Sequence, residues 1–156
     1  MENRMFGGIY GTVLASALLA ALQSEGERFT PVYDALWILV TAVAAGLVHG
    51  YAHHMAVHRT GSAAVRWRRL FTALGDEWPL VVAVLPTVAL LLLAGAADWS
   101  EGPVSTAGLA LNTLLLGGWG TFVALKSGYR RTSAVLVGLA DATIGLAIAV
   151  ANALIK

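Results

Sequence analysis

Residues 132–155 read TSAVLVGLADATIGLAIAVANALI, an apolar run broken by one charged side chain, Asp141. As a helix this run extends about 36 Å, enough to cross a hydrocarbon layer about 30 Å thick. At about 100° per residue, Ala134, Gly138, Asp141, Gly145 and Asn152 share one face. Leu136, Leu139, Leu146, Val150 and Leu154 occupy the opposite face. Membrane helices pack through small residues, because lipid offers no hydrophobic drive for burying large ones. The Gly/Ala face should therefore meet protein and the Leu/Val face lipid.

Working outward, four more segments have the length and composition of spans, at about 6–23, 33–58, 78–97 and 104–125. The whole chain agrees. Of 156 residues, 58% are hydrophobic and 12% charged. A soluble domain carries about twice that charge. The expected fold is all-α: one integral membrane bundle over residues 1–156 with five transmembrane helices. A short amphipathic helix at Ala63–Leu74 should lie on the cytoplasmic surface, with Arg66, Arg68 and Arg69 near lipid phosphates and Trp67, Leu70 and Phe71 dipping inward. Gly7, Gly8 and Gly11 interrupt the first segment where a cleavable leader should be most apolar, so it reads as a retained span.

Charge tests the span count independently. With five spans, Arg4, Arg59, Arg66, Arg68, Arg69, Lys126, Arg130 and Arg131 share one side. Glu25, Glu27, Asp34, Asp98 and Glu101 fall on the other, with Arg28 and Lys156. The positive-inside rule then places the N-terminus in the cytoplasm and the C-terminus outside a cell membrane. Trp78 and Trp99 bracket the third span at interfacial depth, and Asp76 is the expected N-cap before Pro79. Pro86 should kink that span and free the carbonyl of Val82.

Zero cysteines exclude a disulfide scaffold and a cysteine zinc site, and a net charge of +1 argues against a nucleic-acid partner. No phosphate-binding, dinucleotide or GxSxG motif occurs, so no cofactor and no enzymatic activity are expected.

Polar residues within the spans carry the functional signal. Asp141 is costly in hydrocarbon, by about 2.5–3.5 kcal/mol when ionised, and is expected to bind a proton or cation or to make an interhelical hydrogen bond. In the second span Ala35, Ala42, Ala45 and Gly46 form the small-residue face. His49 and His53 continue it and should point inward, whereas His54 and His58 should reach the headgroups. The inward pair could titrate or hold a metal. Asn112 and Asn152 could bind a cation as neutral ligands or join helices. The segment His49-Gly-Tyr-Ala-His53-His54 resembles one HxxxHH box of membrane fatty-acid hydroxylases and desaturases over six residues. The further boxes that hold two irons in that family have no counterpart here, so a di-iron oxidase is rejected.

Three functions fit these features. The first is a cation or proton channel or ion-coupled transporter, working as a homo-oligomer among membrane lipids. The second is a membrane interaction subunit without transport. The third is a metal-dependent intramembrane hydrolase, which requires His49, His53 and Asp141 to converge.

Overall fold

The computed structural model describes residues 2–22, 30–57 and 63–155. The side chains of Arg4, Glu25, Glu27, Arg28, His58, Arg59, Arg66 and Lys156, with their expected roles, lie outside the described residues. All the regular structure described is helical: α1 (Glu2–Ala21), α2 (Pro31–Val57), α3 (Ala63–Asp76), α4 (Trp78–Ala96), α5 (Glu101–Lys126) and α6 (Arg131–Ile155). Four stretches are long and apolar enough to cross a membrane: Pro31–Ala56, Trp67–Ala96, Glu101–Lys126 and Arg131–Ile155. The apolar part of α1, Gly7–Ala21, is shorter. Its hydropathy is diluted by glycine, Thr12 and Ser16, and these small residues are the ones it buries.

Helix α1 is the hub. It packs between a hairpin of α2 with α4 and a hairpin of α5 with α6. Its glycines allow the approach. A Cβ on Gly11 would collide with the Leu80 carbonyl and lie 2.9 Å from the Ala83 Cβ. A Cβ on Gly7 would lie 3.0 Å from the Leu80 backbone nitrogen. On the other side, Gly8 lies under the Trp119 ring, and Leu19 fills the space beside Gly108. These contacts make α1 parallel to α4 and antiparallel to α5. Ala15, Leu19, Ile38, Leu80, Val84, Leu91 and Val104 form the core between them.

The run from α3 into α4 departs from the sequence reading. The amphipathic segment is helical as expected, and Trp67, Arg68, Arg69 and Phe71 are exposed on it. It joins α4 through Glu77 alone and doubles back along the end of α2, where Leu74 and Ala73 meet Gly50. Pro79 explains the joint. It has no N–H for the Gly75 carbonyl, and its ring crowds that carbonyl. The chain tightens locally, with Glu77 N–H donating to Leu74 O at 3.3 Å and Leu80 N–H to Glu77 O at 3.0 Å. Asp76 is thus the last residue of α3, and Glu77 occupies the cap position without a side-chain capping bond. Helix α4 continues through Pro86.

Short connections alternate the helix directions. The α5–α6 turn closes with Tyr129 N–H on Ala124 O and Gly128 N–H on Leu125 O. Gly128 supplies the left-handed residue that this closure needs (φ +83°). Arg68, Arg69, Lys126, Arg130 and Arg131 fall at one end of the bundle, and Asp34, Asp98 and Glu101 at the other. The apolar face of α2 expected to meet lipid, Leu36, Val40, Val43 and Leu47, is exposed.

The α1–α4 contact is testable through its glycines. Gly11→Val should lower stability by about 2 kcal/mol, the usual range for overpacking. Gly75→Ala, where a Cβ would meet nothing within 4 Å, should leave it unchanged or slightly raised. Thermal unfolding of both variants in detergent provides the comparison.

Candidate functional site

Helix α6 rests on α5 through a seam of small residues. Gly145 faces Thr113, Gly138 faces Gly117 and Thr121, and Asp141 faces Gly120. Ala134, Gly138 and Gly145 are buried here, and Leu136, Leu139, Leu146, Val150 and Leu154 are exposed, as the periodicity predicts. The Asp141 carboxyl covers the Cα of Gly120: a Cβ there would lie 2.9 Å from the carboxyl carbon. Asp141 is half-buried and makes no hydrogen bond or ion pair among the described residues. The nearby hydroxyls serve their own helix. Thr121 donates to Gly117 O and Thr113 to Leu109 O, both at 2.8 Å.

The histidines sort differently from the expectation. His53 is exposed and His54 is buried. The buried stripe of α2 runs Asp34, Ile38, Ala42, Gly46, Gly50, His54, in steps of four. Each step falls about 40° beyond a full turn, so the stripe winds around the helix. The fixed-face projection missed this because α2 changes partner, from α4 near Gly46 to α3 at Gly50.

His49 lies beside that stripe. Its side chain is 48% exposed, yet Nδ1 comes 3.8 Å from Oε2 of the buried Glu77. This distance suits an ion pair with a protonated imidazole and is too long for a hydrogen bond. The Tyr10 ring of α1 lies 6.0 Å from the imidazole, centroid to centroid. Three elements, α1, α2 and the α3–α4 joint, thus converge on His49. Sequence reasoning missed Glu77 and Tyr10. The available signal was a carboxylate two residues before Pro79, at the basic end of the bundle.

Asn112 is fully buried, and its Oδ1 accepts a 2.7 Å hydrogen bond from the Thr87 hydroxyl, joining α5 to α4. Its Nδ2 has no hydrogen-bond partner among the described residues. Asn152 is half-buried and lines an open groove of about 520 Å³ between α5 and α6, with Ser105, Thr106 and Thr113. The two asparagines therefore do not share one environment.

Among the described residues, no three His, Asp or Glu side chains converge to hold a metal. The hydrolase arrangement of His49, His53 and Asp141 is not assembled. His53 points away from the bundle, and Asp141 lies on the α5–α6 seam while His49 faces Tyr10 and Glu77. The chain matches no protein-family model, no curated protein and no solved structure.

The α4–α5 hydrogen bond makes a clear prediction. Thr87→Val should cost about 1–3 kcal/mol, because it leaves the whole Asn112 amide buried without a partner. Adding Asn112→Leu should recover much of that loss, read as a double-mutant cycle of unfolding midpoints.

Proposed function

We propose that this chain is a five-span membrane protein that passes protons or small cations across the cell membrane as a homo-oligomer. Asp141 is the intramembrane binding group in this reading. One observation carries it: a carboxyl halfway along an apolar helix, set over Gly120 and given no partner by neighbouring hydroxyls. A carboxylate serving only as helix glue should hold a hydrogen bond across the seam. Without one it is available to a proton or cation.

The remaining roles follow position. The basic end faces the cytoplasm, in accord with the positive-inside rule. There His49 and Glu77 form the gate, with Tyr10 against the imidazole. The approach of His49 to Glu77 links α2 to the start of α4. His53, being exposed, has no part in the gate, which revises the pair expected from the sequence. Asn152 supplies a neutral ligand in the groove it lines, while Asn112 keeps α4 and α5 together. The short apolar stretch of α1 crosses as the fifth span, shielded by the helices around it.

A second reading, an interaction subunit without transport, draws on the long apolar faces that α2 and α6 leave exposed. Flux measurements separate the two. Purified protein in liposomes should dissipate an imposed proton or sodium gradient, and Asp141→Asn should reduce the rate at least tenfold. Parent protein that leaves every gradient intact, or a variant equal to the parent, would refute the role of Asp141.

A further inference from the structure

An open groove of about 500 Å³ runs along the α5–α6 seam. Leu114, Gly118 and Phe122 of α5 form one wall, and Val135, Leu139 and Ala142 of α6 the other. The groove is apolar apart from two hydroxyls, those of Thr113 and Thr121, and both are committed to carbonyls of their own helix. A Cβ on Gly118 would meet nothing within 4 Å, so the groove is open there. Asp141 faces Gly120 and does not line it.

Both walls end in a cation, at the same end of the bundle. On α5 the steps of four run Leu114, Gly118, Phe122, Lys126, and the Lys126 Nζ lies 5.7 Å from the centre of the Phe122 ring. On α6 they run Leu139, Val135, Arg131. The positive-inside rule accounts for cations at this end, but not for their place at the head of each wall. The helix field accounts for only one of them. Lys126 suits the C-terminus of α5, whereas Arg130 and Arg131 stand at the start of α6, where the field disfavours cations and no acid occupies the first turn. Lys126, Arg130 and Arg131 are exposed and make no ion pair among the described residues. An anion between the two helix ends offsets the adverse charge and meets the first N–H groups of α6. The ligand that fits is therefore anionic at one end and apolar along its length. A free phosphate would use the cations alone, and a zwitterionic lipid would bring a positive group to them.

We propose that this groove binds one anionic phospholipid, with an acyl chain lying along Gly118 and the phosphate held by Lys126 and Arg131. Basic sites between membrane helices hold anionic headgroups in this way. The proposal shares with the transport reading only the placement of α5 and α6 in a bilayer, and Asp141 has no part in it.

Native mass spectrometry of the delipidated full-length protein in detergent tests it, with dioleoylphosphatidylglycerol as the probe and dioleoylphosphatidylcholine as the zwitterionic control. The parent should retain one phosphatidylglycerol at a concentration at least tenfold lower than phosphatidylcholine requires, and glycerol phosphate should not displace it. The double variant Lys126→Gln/Arg131→Gln should lose that preference. Arg68→Gln/Arg69→Gln removes the same charge from α3 at the same end and should bind like the parent. Gly118→Leu, which fills the groove without touching its neighbours, should weaken retention at least tenfold with every cation in place, and it tests the site should the double variant fail to fold. Equal retention of the two lipids, displacement by glycerol phosphate, equal losses in the two arginine-bearing double variants, or unchanged binding in Gly118→Leu would overturn the proposal.

Discussion

The bundle depends on one close approach, the packing of α1 glycines against the backbone of α4. Gly11 lies against the Leu80 carbonyl, and Gly7 against the Leu80 nitrogen. Only helices without side chains at the contact come this near, and dispersion over such contacts is individually small and collectively large. With α1 held there, Gly8 meets Trp119, Leu19 enters the space at Gly108, and the two hairpins gain a common surface. The polar residues of α1 cost little in this position. Thr12 and Ser16 return their hydroxyls to Gly8 O and Thr12 O within the helix, at 2.8 and 2.9 Å.

That economy of hydrogen bonds frames the acids. Most described hydroxyl donors serve the carbonyl one turn back, whereas Thr87 donates across to Asn112 on another helix. Asp34 and Asp141 receive none. They sit at separate places, Asp34 near the acidic end and Asp141 on the α5–α6 seam.

Much of this was legible because periodicity and packing share a cause. The small face of α6 follows from Ala134, Gly138 and Gly145 at helical spacing, and that face meets α5. The same logic failed at the end of α2, where the stripe winds as the partner changes. No property of His53 or His54 alone records that change. Glu77 was hidden for a related reason. Its burial comes from the joint at Pro79 and from the placement of Gly46, whose Cβ would lie 3.8 Å from the Glu77 carbonyl. Local sequence shows the proline but not the helix that closes over it.

The pairing of Gly120 with Asp141 finally bears on whether the acid is structural. Were packing the only demand, a methyl at each position would fill the seam without desolvating a charged group. Here the glycine makes room for a carboxyl, and a Cβ at 120 would overlap its oxygen. The carboxyl returns no hydrogen bond to α5 for that room. With this helix in a bilayer, an ionised acid near its middle would carry a penalty of about 2.5–3.5 kcal/mol. The seam therefore gives up the tightest contact between α5 and α6 to accommodate this acid, which is the feature on which the proposed binding role rests.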